Sequence, residues 1–469
     1  MSDIRKVIKF GTDGWRAVIA DTFTFENVRI VAQATADWLK TQSSSPTASI
    51  GYDNRFLSAE FAASFAEVFA ANGIKCFLSN TSLPTPALSF GVTRLKNNGG
   101  IMITASHNPA KFNGIKIKTA QGGAASKDIT NAVEEFLGKK PVMRKALDEA
   151  KKEGLVVVHD FKPDYVKFIR GYLDLKKIKS AKYKVLADIM HGSGRDLMKD
   201  ILKGTNIKLT LMREEVNPSF SGSKPEPIPE CLQTIMGRMK KEKFDFGHVL
   251  DGDADRIAAI MPGGEFVSPQ KILGLLILHL ARNRNIQGGI IKTLCGTTML
   301  DHIAKKLNRK LYETPVGFKY ISDLMLSETI IAGGEEAGGM GLPNYIPERD
   351  GTLSGLLLVE MMVYNKKNFK KLVEDMEKEF GRYYYQRLDY NMDAKRVNLN
   401  ELKQIKAILG QPVVEVKDYD GVKLIAKNED WLMFRPSGTE PLVRIYSEAK
   451  SLKRAKDLLE FGRQIIDPT

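Results

Sequence analysis

The sequence predicts an α/β protein: three similar α/β units followed by a smaller α+β unit. Three observations carry this reading. The chain has 469 residues, more than a single core spans. As far as Phe380, short apolar runs alternate with amphipathic helical segments. From Tyr383 onward strand-like runs dominate, and one helix closes the chain.

The elements come in order. Val28, Val31, Ala32, Thr35 and Leu39 have helical spacing, and Ser49 to Tyr52 reads as a strand. Phe61, Phe65, Val68 and Phe69 form the next helical face, stopped by Asn72-Gly73. Ile74 to Leu78 is a buried strand, Pro84 and Pro86 mark a link, and Ile101 to Ile103 is the next strand. This rhythm predicts a parallel sheet with helices on both faces. The charged helical segment Val142 to Gly154 closes the first unit, 1–153. The second unit, 154–257, centres on the strand Lys184 to Asp188, which runs through His191-Gly192-Ser193-Gly194 into a helix. The third, 258–379, holds a helix from Gln270 to Arg282, the strand Gly289 to Thr293 and a helix from Phe369. The fourth, 380–469, has strands at Tyr383–Tyr390, Val422–Ala426, Trp431–Phe434 and Leu442–Ser447, then a helix from Leu452 to Ile465. The first three units share a rhythm but no legible sequence repeat.

Hydrophobic residues make up 43% and charged residues 27%, as in soluble globular proteins. No apolar signal core follows Met1, and the longest apolar run, Ile272 to Ala281, is too short for a membrane span. A cytoplasmic protein without membrane contact is expected. Cys76, Cys231 and Cys295 are widely separated, which predicts reduced, buried thiols rather than a disulfide or zinc framework. The net charge of +14 is spread along the chain, with pairs such as Lys139-Lys140 and Lys370-Lys371 among acids. That pattern favours solvated faces and a small anionic substrate over nucleic acid.

Four loops carry chemistry. Thr104-Ala105-Ser106-His107-Asn108-Pro109 follows the strand Ile101–Ile103 and precedes Phe112-Asn113-Gly114-Ile115-Lys116. A serine at a strand end beside a histidine is placed to be phosphorylated or to attack phosphorus. Asp251-Gly252-Asp253-Ala254-Asp255-Arg256 sets three carboxylates at alternate positions, able to converge on one hard cation. An EF-hand is excluded: its sixth position is Arg256 instead of glycine, and its twelfth is Pro262 instead of glutamate. Three carboxylates without a full oxygen cage suit Mg²⁺, and so close together they repel unless a cation sits among them. Arg435-Pro436-Ser437-Gly438-Thr439-Glu440-Pro441, followed by Arg444, reads as a phosphate nest or a plain strand-to-strand turn. Gly333-Gly334-Glu335-Glu336-Ala337-Gly338-Gly339 offers paired carboxylates to hydroxyls, to acid–base work, or merely to solvent. Weaker signals are Arg16 after Gly11-Thr12-Asp13-Gly14, and Lys319 after Gly317. Gly192-Ser193-Gly194 fails the dinucleotide pattern at Leu197 and reads as small-residue packing.

Taken together and in this order, the four loops resemble those of the α-D-phosphohexomutase superfamily, the phosphoglucomutases and phosphomannomutases. The resemblance spans nearly the whole chain. It implies three α/β domains and a TBP-like α+β fourth domain around a central cleft. It implies that Ser106 carries a phosphoryl group, and that Asp251, Asp253 and Asp255, with the Ser106 phosphate, hold Mg²⁺. A hexose phosphate would receive that group, reorient as a hexose 1,6-bisphosphate, and return its other phosphate to Ser106. Arg16, Lys116 and Arg256 would neutralise the moving group. Arg435, Ser437, Gly438, Thr439 and Arg444 would hold the distal phosphate, and Lys319, Glu335 and Glu336 the sugar. Water must be excluded, so the fourth domain is expected to close over the cleft. The expected partners are hexose phosphates and not nucleic acid, for a monomer or homodimer.

Two departures from the family pattern matter. Many relatives carry Ser and His where this chain has Ala337 and Gly339, which leaves acid–base work to Lys116, His107 or Lys319. Thr314-Pro315-Val316-Gly317-Phe318-Lys319 is similar to the lysine loop of phosphoglucomutases and favours glucose 1-phosphate and glucose 6-phosphate over mannose phosphates. The alternatives are a phosphoglucosamine mutase or a non-catalytic sugar-phosphate binder.

Overall fold

The computed structural model describes residues 4–11, 14–393, 396–437 and 442–467. The first sheet contains β1 (Trp15–Val18), β2 (Thr47–Tyr52), β3 (Lys75–Ser79), β4 (Gly99–Ile103), β5 (Phe112–Thr119) and β6 (Val156–His159), in the order β1-β5-β4-β2-β3-β6. Its helices form where the spacing predicts. Thr24 caps Phe25–Gln42 by accepting from the Asn27 N–H, and Val28, Val31 and Ala32 face the core. Phe61, Phe65 and Phe69 of Ser58–Ala71 are buried against the same sheet.

The sheet is not wholly parallel as expected. β4, β2, β3 and β6 are parallel neighbours, but β5 is antiparallel to β4 and to β1. No helix separates β4 from β5, and a strand that comes next without a crossover must return antiparallel. Sequence also placed the first boundary too early. The charged segment Val142 to Gly154 forms only the short helix Leu147–Lys152, and the chain then adds β6 to the first sheet beyond residue 153.

The second sheet runs through β7 (Lys184–Asp188), β8 (Lys208–Met212), β9 (Phe246–Leu250), β10 (Ile257–Ile260) and β11 (Phe266–Val267), in the order β11-β10-β9-β7-β8. It too extends past the expected boundary, at residue 257. The third has β12 (Gly289–Thr293), β13 (Leu311–Thr314), β14 (Ile330–Gly334) and β15 (Met340–Gly341), in the order β13-β12-β14-β15. In all three sheets a parallel core ends in an antiparallel return: β4 to β5, β9 to β10, and β14 to β15. The loops at these returns are the serine loop, the triple-aspartate loop and the paired-glutamate loop. The repeat that the sequence hides is therefore a repeat of position.

The fourth unit is an antiparallel sheet of β16 (Tyr384–Asn391), β17 (Ala407–Ile408), β18 (Gln411–Lys417), β19 (Val422–Ala426), β20 (Trp431–Pro436) and β21 (Leu442–Ala449), covered by the helix Leu452–Ile466. One continuous core joins the second and third units and takes in Leu83, Ala87, Leu88 and Met102 of the first, while the first and fourth also have cores of their own. Trp431, Met433 and Tyr446 of the fourth unit pack against Leu294 and Cys295 of the third. Among the described residues no helix is long and apolar enough to cross a membrane.

Candidate active site

The three hairpin loops meet. The Ile257 N–H donates to the Gly338 carbonyl at 3.0 Å, and Arg256 bridges Gly339, which joins the aspartate and glutamate loops. The serine loop packs on the aspartate loop so closely that a Cβ at Gly252 would lie 2.5 Å from the Ser106 carbonyl oxygen. Gly192 likewise faces the carbonyls of Asp251 and Gly252, which gives Gly192-Ser193-Gly194 the packing role expected. The helix after it begins only at Leu197.

Ser106 is buried and holds φ +51°, a left-handed conformation uncommon outside glycine. Its hydroxyl donates to Asp251 Oδ2 at 2.7 Å and lies 3.4 Å from His107 Nδ1. Asp251, Asp253 and Asp255 are fully buried, and each offers an oxygen within 4.8 Å of the others. One cation that stands among them is Lys116. From β5 its buried ammonium donates to Asp253 Oδ2 at 2.8 Å and to Asp255 Oδ2 at 2.7 Å. Burial, and then its two anionic neighbours, push the Asp251 carboxyl well above the usual range. Burial acts the same way on Asp253, but Lys116 and Thr85 outweigh it and hold that carboxyl low. His107 is held well below the ordinary imidazole range by burial, then by Arg256, Arg16, Lys116 and Arg55.

Asp253 Oδ1 and Asp255 Oδ1 are buried with no hydrogen-bond partner. Unpaired carboxylate oxygens inside a protein are costly, and oxygen donors of this kind suit a hard divalent cation. The donor set fits a metal ion.

Sequence reasoning missed Arg349. It is buried, 2.7 Å from Asp255 Oδ2 and 3.4 Å from Glu335 Oε2, and so ties the aspartate loop to the glutamate loop. The next acid, Glu348, pairs with buried Lys118 of β5. The only local signal was the run Glu348-Arg349-Asp350-Gly351, which reads as a helix start; Asp350 does cap Gly351–Asn365. Arg349 also lies directly against Gly339. A Cβ at Gly339 would lie 2.2 Å from Arg349 Cδ, so the arginine occupies the space a side chain there would need.

The other expected residues fall in two places. Arg16 joins the serine loop, donating to Asn108 Oδ1 at 2.7 Å. Glu336 accepts from the Thr293 hydroxyl at 3.1 Å. Lys319 stands on the first turn of Phe318–Ser327, its ammonium 4.8 Å from the Tyr320 ring. Arg435, Ser437 and Arg444 form a separate cluster on the fourth unit. Arg435 and Arg444 are directly opposed across β20 and β21, Arg435 is 3.0 Å from Asp420, and the Ser437 N–H donates to the Leu442 carbonyl at 3.0 Å. Gly438 and Thr439, like Asp13, lie outside the described residues. Of the cysteines, Cys76 and Cys295 are buried and Cys231 is half-buried; all three are free thiols.

Family profiles match all four units: phosphoglucomutase/phosphomannomutase alpha/beta/alpha domain I over residues 7–141, domain II over 163–264, domain III over 268–380, and the C-terminal domain over 392–463. Fold and matches together define a phosphohexomutase, an intramolecular phosphotransferase. The phosphoglucomutase/phosphomannomutase of Thermococcus kodakarensis is 30% identical over 98% of both chains. The phosphoglucosamine/phosphogalactosamine mutase of Sulfurisphaera tokodaii is 28% identical over 98% of this chain and 99% of its own. The crystal structure of a phosphomannomutase homologue from Thermus thermophilus superposes with a TM-score of 0.88 at 34% identity, covering 98% of this chain and 99% of that one. The chain belongs to the phosphoglucomutase/phosphomannomutase family.

Proposed function

We propose that this phosphohexomutase moves a phosphoryl group between C1 and C6 of a hexose phosphate, with glucose phosphates preferred, through a phosphoserine at Ser106 and a hexose 1,6-bisphosphate. The observation that carries the reading is the 2.7 Å hydrogen bond from the Ser106 hydroxyl to Asp251, inside a buried triad of aspartates. Asp251, Asp253 and Asp255, with the phosphate on Ser106, would hold Mg²⁺. Bound there, Mg²⁺ supplies positive charge against the transferring group.

The remaining work belongs to side chains. Arg16, anchored on Asn108, and Arg256, beside the triad, neutralise charge on the moving phosphoryl group. Lys116 holds Asp253 and Asp255 at fixed separation while leaving one oxygen of each for the metal. Its ammonium is engaged by two carboxylates and Lys319 stands on a neighbouring helix, so proton transfer is assigned to His107, 3.4 Å from Ser106 Oγ. Glu335 and Glu336 accept from sugar hydroxyls. Arg435 and Arg444 are opposed across two strands, with Asp420 3.0 Å from the first and Asp389 3.9 Å from the second, and together offer two guanidinium groups to an anion. With Ser437, Gly438 and Thr439 they serve the distal phosphate, whichever end of the sugar presents it. Water exclusion requires the fourth unit to move over the cleft.

Initial rates with Mg²⁺ on glucose 1-phosphate, mannose 1-phosphate and glucosamine 6-phosphate test the preference. Glucose 1-phosphate is expected to turn over fastest. Turnover of the amino sugar alone would make the chain a phosphoglucosamine mutase, and turnover of none a binder.

A further inference from the structure

Asp53-Asn54-Arg55 lies between β2 and the helix Ser58–Ala71 and, apart from the charge that Arg55 sets against His107, has had no role so far. The Arg55 side chain is fully buried, and its guanidinium serves four carbonyls. One terminal nitrogen donates to Ser106 and Asn108, each at 2.6 Å, and the other to Pro109 at 2.9 Å and Phe112 at 3.0 Å. All four carbonyls belong to the return that carries the serine. Arg55 Nε lies 3.2 Å from Asp53 Oδ2. That oxygen also accepts the Thr104 hydroxyl at 2.6 Å, and Thr104 Oγ1 in turn accepts the Ser106 N–H at 2.9 Å. Both backbone polar groups of Ser106 therefore lead to the Asp53–Arg55 pair. Between them, Asn54 donates to the carbonyls of His191 and Gly192 at 2.9 Å each. Gly192 is the residue pressed against the carbonyls of Asp251 and Gly252. Phe220 of the second unit covers the Arg55 guanidinium at 4.9 Å.

A residue such as Ser106, at φ +51°, keeps that conformation only where its surroundings over-determine it. A planar fork with five donors can meet several carbonyls at once, which a lysine ammonium cannot do with the same geometry. We propose that Asp53-Asn54-Arg55 is a positioning element for phosphoryl transfer. Asp53 and Arg55 grip the serine loop, Asn54 grips the support of the aspartate loop, and the tripeptide sets the Ser106 hydroxyl in register with Asp251. It touches no substrate and acts through the loop backbone. The proposal rests on the reading of Ser106 as the phosphoryl carrier.

The test uses the full-length enzyme and its Arg55→Lys, Thr104→Val and Thr104→Ser variants. Each is loaded with glucose 1,6-bisphosphate and counted for phosphorylated chains by intact mass. A misplacement of about 1 Å costs on the order of a hundredfold in rate, so Arg55→Lys and Thr104→Val are expected to lose about that much kcat per phosphorylated chain. Their KM for glucose 1-phosphate should stay within about threefold of the parent, and Thr104→Ser, which keeps the hydroxyl, should retain the parental kcat. Parental kcat per phosphorylated chain in Arg55→Lys or Thr104→Val would overturn the proposal. If Arg55→Lys does not fold, Thr104→Val carries the test with the ion pair intact. If the parent takes up no phosphate on Ser106, the reading of Ser106 fails, and the grip is judged by amide exchange over residues 104–110. At least tenfold faster exchange in Thr104→Val supports it, and equal exchange overturns it.

Discussion

The side chain of Arg349 fills the volume that any side chain at position 339 would need: a Cβ on Gly339 would lie 2.2 Å from Arg349 Cδ and 2.8 Å from Cγ. The glycine and the arginine thus share one volume. The space beside Gly339 is reached from the loop after β15, by a cation that pairs Asp255 and Glu335. Gly339→His is expected to destabilise the protein by roughly 1–3 kcal/mol through overpacking of a buried site. The same substitution should cost measurably less in an Arg349→Ala background. Urea denaturation of the four members of this cycle checks it, and additive costs would contradict the shared volume.

The unpaired Oδ1 atoms of Asp253 and Asp255 predict that Mg²⁺ stabilises the folded chain. Binding at a hundredfold excess over Kd adds about 2.7 kcal/mol. Thermal melting with and without Mg²⁺ should show a rise in Tm for the parent and little or none for Asp253→Asn. A parent indifferent to Mg²⁺ would contradict the assignment of the triad.

His248 predicts an acid limit to stability. It lies fully buried in β9, with Nε2 3.0 Å from the Gly351 carbonyl and Nδ1 3.2 Å from Met198 Sδ. Burial, only partly opposed by the bond to Gly351, brings its pKa down to about 4. With the folded value below the unfolded one near 6.5, the contribution is whole above pH 6.5 and is lost as pH falls through about 4. The loss is on the order of 3 kcal/mol. Denaturation midpoints between pH 7 and 4 should fall less steeply for His248→Gln, which does not titrate; identical slopes would show that His248 does not carry the effect.

Much of this molecule was legible in its sequence because its signals are local. Helical spacing located the helices that cover the first sheet, and Phe369 to Phe380 is helical from end to end. Ser106 and the three aspartates were legible because their loops concentrate chemistry that a packing segment has no use for. The antiparallel return after β4 was missed because a strand's direction is set by the connection leading into it, not by its own residues. Arg349 and Arg55 were missed because each draws its meaning from partners far along the chain: Asp255 for one, and the carbonyls around Ser106 for the other. The positional repeat of the three loops was invisible for a related reason. It lies in the topology of three sheets whose side chains show no common pattern.

The central claim is that Ser106 carries the phosphoryl group, and intact-mass measurement tests it most directly. The parent enzyme incubated with glucose 1,6-bisphosphate and Mg²⁺ should gain the mass of one phosphoryl group, mapped by peptide analysis to Ser106 and removed by phosphatase. Ser106→Ala should gain none and lose mutase activity by several orders of magnitude. A Ser106→Ala enzyme that turns over glucose 1-phosphate at the parental rate would contradict the account.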